Sequence, residues 1–156
     1  MAALNNVSDY IVKKMSEGRT PLNVLKLHKL VYYAQAWHLA FTGNRMFNGN
    51  FQAWVHGSVS RVLYDRYPDK AIYSTVAVTD LEASFRPTLL TDVERAHIDS
   101  VLEVYGDLAG YQLEEMTHNE APWIEARNGI QLTARSEAII SDDIMRDFYR
   151  ARLPQS

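Results

Sequence analysis

Cysteine is absent from this chain of 156 residues, which excludes a disulfide framework, a thiolate metal site and a thiol nucleophile. The seven glycines stand singly along the chain, so no glycine-rich phosphate loop is present. No serine lies in a Gly-x-Ser-x-Gly elbow. Long hydrophobic runs are lacking as well. The one extended apolar segment, residues 20–43, is broken by Lys26, Lys29, His28 and His38 and is not a membrane span. The first residues, Met-Ala-Ala-Leu-Asn-Asn-Val-Ser-Asp, show no basic stretch leading into an apolar run, so no secretory signal is visible and a soluble cytoplasmic protein is expected. Finally, no Lys/Arg cluster is dense enough to track phosphates, which disfavours nucleic-acid binding.

What remains is an ordinary globular composition. Hydrophobic residues make up 47% and charged residues 22%, too apolar and too weakly charged for a disordered chain. The length suits one domain over 1–156 with a real core. The net charge of −3 is unevenly spread: residues 1–70 carry nine Lys/Arg against four Asp/Glu, and residues 71–156 seven against fifteen. Mixing of these charges on a folded surface is the ordinary reading. A sharper one is an acidic face that steers a basic partner.

The chain is organised around Thr20–Gly43. Thr20 suits an N-cap, Pro21 a first helical position and Gly43 a left-handed stop. Between them the spacing predicts a helix of about six turns, roughly 33 Å long. Winding it puts Leu27, Leu30, Val31, Ala34, Trp37 and Phe41 on one face, and Leu25, Tyr32, Ala36 and Leu39 on the other. Lys26 with Lys29, and His28 with Gln35, form narrow polar stripes. A helix apolar on two sides is packed on two sides.

Around it, a helix is expected from about Val7 to Glu17, with Val7, Tyr10, Ile11 and Met15 inward and Gly18 as stop. Asn48-Gly49, between Arg45-Met46-Phe47 and Phe51–Val55, reads as the tight turn of a small β-hairpin over about 45–55. Ser58 can cap a helix to about Tyr67, with Val59, Val62, Leu63 and Tyr67 inward. Between Pro68 and Leu90 only the β-branched run from Tyr73 to Thr79 suggests extended chain. Thr91-Asp92-Val93-Glu94 is a capping box opening a helix to about Tyr105, with Val93, Ile98, Val101, Leu102 and Tyr105 apolar. Further helices follow over about Gly110–His118, from Pro122-Trp123, and after Ser141-Asp142-Asp143, where Ile144, Met145 and Phe148 are apolar. The expected class is mainly α, a compact helical domain around one long helix with one small hairpin.

Few residues carry chemistry. His118 and Glu120 could supply two metal ligands, or a base with its orienting carboxylate, for a metal-assisted hydrolase. No His-Glu-x-x-His or other zinc spacing completes such a site. The favoured reading is that Thr117, His118 and Glu120 satisfy backbone groups between two helices. Trp37, Trp54 and Trp123 read as core anchors.

Three blocks of the sequence resemble one family. Leu25-Lys26-Leu27-His28-Lys29-Leu30-Val31-Tyr32-Tyr33-Ala34-Gln35-Ala36-Trp37-His38-Leu39-Ala40 is similar to a Lys-Leu-Gln-Lys-Leu-Leu-Tyr-Tyr-Ala-Gln signature. Phe51-Gln52-Ala53-Trp54-Val55-His56-Gly57-Ser58-Val59 resembles a Glu-Ala-Trp-x-x-Gly-Pro-Val run. Thr117-His118-Asn119-Glu120-Ala121-Pro122-Trp123-Ile124-Glu125-Ala126-Arg127 matches a Thr-His-x-x-x-Pro-Trp-x-x-Ala-Arg block. In this order they resemble the motifs of the Panacea domain, the SocA-like antitoxin family that includes phage-associated GepA-type proteins. His28 departs from the usual glutamine, and Ser58 from the usual proline.

The resemblance implies a non-enzymatic antitoxin of a toxin–antitoxin system, without cofactor, that neutralises a cognate toxin by direct protein–protein contact. One branch of the family acts instead as an adaptor delivering its toxin to a AAA+ protease, and a homo-oligomer is a further candidate assembly. The motif residues Lys29, Tyr32, Tyr33, Gln35, Trp37, Trp54, Gly57, Thr117, His118, Glu120, Pro122 and Trp123 are then structural or partner-binding. Of these, Tyr32, Tyr33, Gln35, Trp54, Gly57, His118 and Trp123 are expected to converge on a concave aromatic site. Glu103, Asp107, Glu114 and Glu115 form a candidate acidic steering surface.

Overall fold

A computed structural model describes residues 1–154; the last two residues of the expected 1–156 domain, Gln155 and Ser156, lie outside the described residues. Among the described residues the chain forms seven α-helices and one two-stranded antiparallel hairpin, the mainly α class the sequence predicts. In chain order these are α1 (Leu4–Glu17), α2 (Val24–Thr42), β1 (Gln52–Trp54), β2 (Gly57–Val59), α3 (Arg61–Asp65), α4 (Asp92–Tyr105), α5 (Gly110–His118), α6 (Ala121–Arg127) and α7 (Asp142–Arg150). No helix among the described residues is long and apolar enough to cross a membrane.

The two-sided pattern of α2 has the consequence expected of it. Helices α1, α4, α5 and α7 and strand β2 all pack on it. Leu25, Leu27, Leu30, Val31, Tyr33, Ala34 and Ala36 have no exposed surface, and each buried leucine contributes about 1.5–3 kcal/mol. The polar stripes are buried too: Lys26, His28, Lys29 and Gln35 are all enclosed. Phe41, expected on a core face, is 61% exposed, although Leu39 and Ala40 beside it are buried.

The start of α2 differs from the sequence reading. Thr20 and Pro21 precede the helix, and Asn23 is its N-cap, accepting from the Lys26 N–H at 2.8 Å. The cause is a long-range pairing that captures the backbone first. The Leu22 carbonyl accepts from Val76 N–H at 3.0 Å, while Val24 and Leu25 donate to Ser74 and Ile72. Part of the Tyr73–Thr79 run is thus extended as expected, before a 3-10 turn at Val78–Asp80. Gly43 is the left-handed stop, with φ of 78°.

The hairpin is shifted relative to the Asn48-Gly49 turn. Its strands flank Val55-His56, with Gln52 opposite Val59 and Trp54 opposite Gly57. Residues 45–47 do not form its first strand because the Gln35 side chain holds them. Its amide oxygen accepts from Met46 N–H at 2.7 Å and from Phe47 N–H, and its Nε2 donates to the Phe47 carbonyl. Ser58 is accordingly a buried strand residue, and Ser60 caps α3 by accepting from Leu63 N–H. Val62, expected inward, is 62% exposed, and Val93, one of the apolar residues of α4, is 79% exposed.

The remaining caps fall where the local sequence puts them. Thr91 and Glu94 satisfy each other's backbone N–H at 3.1 and 2.8 Å, opening α4. Ser141 accepts from Ile144 N–H at the start of α7. The apolar residues of α7 that are fully buried are Met145 and Tyr149, the latter missed by the pattern.

Candidate functional site: the junction of three motif blocks

The first block lies on α2, the second on the hairpin, and the third on the end of α5 and on α6. They meet in space. Lys29 reaches from α2 across to the hairpin, where its ammonium donates to the Ser58 carbonyl at 2.9 Å. Gly57 lets it pass: a Cβ there would stand 2.7 Å from both Lys29 Cε and Thr117 Oγ1. The Thr117 hydroxyl donates back to the Glu114 carbonyl at 2.8 Å.

From the third block, His118 Nε2 donates to the Val55 carbonyl at 2.7 Å, and Trp123 Nε1 donates to the Trp54 carbonyl at 2.8 Å. The two rings stack obliquely, 4.3 Å between centroids. Arg127, one turn further along α6, donates to the Ala53 carbonyl at 2.9 Å with its guanidinium 4.7 Å from the Trp123 ring centre. Three successive carbonyls of the hairpin, those of Ala53, Trp54 and Val55, are therefore taken by side chains of α5 and α6. Pro122 occupies the first turn of α6, where its missing N–H costs nothing.

Glu120 closes the other side. Its Oε1 accepts from the Tyr33 hydroxyl at 2.7 Å and the Tyr149 hydroxyl at 2.9 Å, and Tyr149 is within 3.1 Å of the Tyr32 hydroxyl. Tyr33 also stacks on Tyr105, 4.1 Å apart and nearly parallel. Aromatic pairs of this kind add about 0.5–1.5 kcal/mol beyond their burial.

Burial sets the electrostatics. Desolvation pulls the Lys29 ammonium down to about 7, against a weak opposing pull from Glu114. Desolvation also pushes the Glu120 carboxyl up, opposed by the two tyrosine hydroxyls. His118 is shifted down by burial, so it sits as a neutral donor to Val55. His28 is pulled down to about 3 by burial and then by Lys29. Both of its ring nitrogens are buried without a hydrogen-bond partner.

One residue expected at the junction is used elsewhere: Gln35 serves the 46–47 backbone. The motif residue Trp37 donates to the Tyr105 hydroxyl at 2.8 Å. The centre of the junction is closed: Lys29, Tyr32, Tyr33, Thr117 and Trp123 are packed to near-zero exposure, leaving Trp54, His118 and Glu120 partly accessible at its edges, and Trp54 and Val55 line a cavity of about 280 Å³ with His56, Arg61 and Glu137. His118 and Glu120 do not form a base–carboxylate pair, since one is held by Val55 and the other by tyrosines. Among the described residues no three His, Asp or Glu side chains group as metal ligands. Tyr149 and Arg127 complete the junction; the Ala-Arg end of the third block was the only sequence signal for either.

Of the acidic set, Glu103, Asp107 and Glu115 are exposed. Glu114 is not a free surface charge: its side chain is 17% exposed and accepts from His56 Nδ1 at 3.1 Å.

The family model described as "Antitoxin SocA-like, Panacea domain" matches residues 27–124, more than half of the chain and a span reaching from the first block into the third. The chain belongs to that SocA-like, Panacea-domain family. Antitoxin SocA of Caulobacter vibrioides (strain NA1000 / CB15N) is 26% identical over 153 residues, covering 92% of this chain and 80% of that protein. No solved structure matches the chain. Within the Panacea domain, then, residues of all three blocks make the contacts that lock hairpin, central helix and α5–α6 together.

Proposed function

We propose that this protein is a non-enzymatic antitoxin, forming a single 1–156 domain, that neutralises a cognate toxin by binding it directly in the cytoplasm. The observation that carries the reading is family membership, through a match that begins in α2 and ends in α6. The junction's chemistry supports it. Its titratable groups are each committed to a neighbour within the fold: Lys29 to Ser58, His118 to Val55, Glu120 to Tyr33 and Tyr149. Such groups brace a surface; they do not converge on a reacting atom, which disfavours the hydrolase reading of His118 and Glu120. Asp107 and Glu115 supply a steering charge for a basic toxin.

Co-expression with the adjacent gene tests this. The expected result is restored growth together with a complex that survives affinity purification. Restored growth with neither a complex nor loss of the toxin would overturn the proposal. A shortened toxin half-life that depends on a AAA+ protease would place the chain with the adaptors.

A further inference from the structure

The hairpin carries a further extended segment on its outer side, and the far edge of that segment is unpaired. Residues 138–140 run antiparallel to β1. Ala53 N–H donates to the Ala138 carbonyl and Ile140 N–H to the Phe51 carbonyl, each at 2.8 Å, with Gln52 opposite Ile139. In such a ladder the backbone groups of successive residues point to opposite sides. Ala138 and Ile140 are turned toward β1, so the N–H and C=O of Glu137 and Ile139 point away from it. None of these four groups has a hydrogen-bond partner among the described residues. Side-chain exposure alternates in step: Arg135, Glu137 and Ile139 are exposed, Ser136 and Ala138 half-buried. Ile139, an apolar residue, is 58% exposed. Arg135 lines the cavity beside Trp54 and holds no ion pair among the described residues, whereas Glu137 lies 3.7 Å from Arg61.

Unpaired backbone donors and acceptors in this alternation are answered by one chemistry, the extended main chain of another polypeptide. A second copy of this chain is a poor source of it. An antiparallel register that sets Ile139 against itself overlaps only residues 138–140, because Ser141 already caps α7. Longer overlaps that keep the outward groups matched set Ile139 against Glu137, Arg135 or Thr133. The free charge and the free apolar surface define what fits instead: an apolar residue opposite Ile139 and, four positions on, an acidic one opposite Arg135. Building on the antitoxin reading above, we propose that an extended segment of the cognate toxin with this pattern adds as an antiparallel strand along residues 135–139. The two charged side chains on the edge keep it from pairing indiscriminately.

Amide hydrogen exchange on the full chain, alone and with the purified toxin, reads this contact without any substitution. The Glu137 and Ile139 amides are expected to exchange freely in the chain alone and about tenfold or more slowly in the complex. Ile139→Pro removes an outward donor and leaves both bonds to β1, and proline is tolerated on an edge whose N–H faces solvent. That variant is expected to keep its fold in thermal melts and to bind toxin about tenfold or more weakly. Ile139→Ala, which keeps the donor, is expected to lose less, and Arg135→Glu to weaken binding several-fold. A complex in which the two amides stay unprotected overturns the proposal and leaves the antitoxin reading standing. Equal losses in the alanine and proline variants overturn it too, as does a folded proline variant that binds as wild type does. Protection in the chain alone that grows with its own concentration overturns it in favour of a second copy. A wild type that forms no complex with the toxin overturns both readings.

Discussion

Lys29 passes over Gly57 so closely that a single methyl group on the glycine would stand 2.7 Å from the lysine's Cε. Gly57 also has φ of 93°, a conformation that side-chain-bearing residues adopt only under strain. Sequence, turn and buried charge thus constrain one another at the place where the second motif block meets the first. Gly57→Ala is expected to lose about 2–4 kcal/mol of stability, combining backbone strain with the clash. Urea denaturation measures it; a loss under about 0.5 kcal/mol, the range of ordinary surface substitutions, would contradict the packing described.

The buried ammonium makes stability depend on alkaline pH. Lys29 is depressed to about 7 in the folded chain, against 10.5 as its ordinary value. Between those values the unfolded chain binds the extra proton, so stability rises as pH rises from about 7 toward 10. Lys26, shifted down by burial, adds in the same direction. Lys29→Met is expected to flatten much of this rise in melts taken across the interval. An equally steep rise in the variant would show that Lys29 is not its source.

His28 acts at the acid end with the same sign. Its folded value of about 3 lies below its ordinary 6.5, so stability is lost as pH falls from about 6.5 toward 3. Neither ring nitrogen has a partner, so nothing in the fold rewards protonation. His28→Gln, which removes the titrating ring, is expected to retain more of its neutral-pH stability at pH 4.5 than wild type retains. Identical acid profiles would contradict this.

Glu120 holds two tyrosine hydroxyls, from Tyr33 and Tyr149. Glu120→Ala leaves both without their acceptor, at a cost of about 2–4 kcal/mol. Glu120→Gln keeps an acceptor oxygen and is expected to lose less than half as much. Equal losses in the two variants, by denaturant titration, would mean that the carboxylate's charge and not its hydrogen bonding matters.

The sequence made some of this legible and hid the rest, for physical reasons. Signals whose partners lie within one helical turn were readable: the Thr91–Glu94 box, Ser141, Gly43 and the two-sided face of α2 all sit where local pattern puts them. Local signals failed where a distant segment competed for the same backbone. Asn48-Gly49 is a strong hairpin signal, yet Gln35 holds the Met46 and Phe47 amides and the strands form around Val55-His56 instead. Thr20 and Pro21 read as a helix start, yet pairing of residues 22–25 with 72–76 delays α2 to Asn23. The motif residues were legible only through family resemblance. Periodicity gave no hint that Lys29 ends on Ser58, or that Tyr149, 29 residues beyond Glu120, shares its carboxylate.

The two proposed steering charges differ in how far the fold uses them: Asp107 acts on the buried Lys26 ammonium. Asp107 and Glu115 are exposed and hold no ion pair among the described residues. Glu115→Lys is expected to slow toxin association several-fold at low salt and to leave the melting temperature within about 2 °C, whereas Asp107→Lys also sets a second cation near buried Lys26 and lowers the melting temperature. Stopped-flow or surface-binding kinetics read the change. An association rate that neither falls nor loses salt dependence would remove the acidic face from the account.

The most direct measurement is a titration of the purified toxin's own activity with this protein, in the absence of any protease. The account predicts inhibition that saturates at a fixed stoichiometry, accompanied by an intact complex containing full-length toxin. A toxin that stays fully active in a saturating mixture, while the same pair still restores growth in cells, would contradict neutralisation by direct binding.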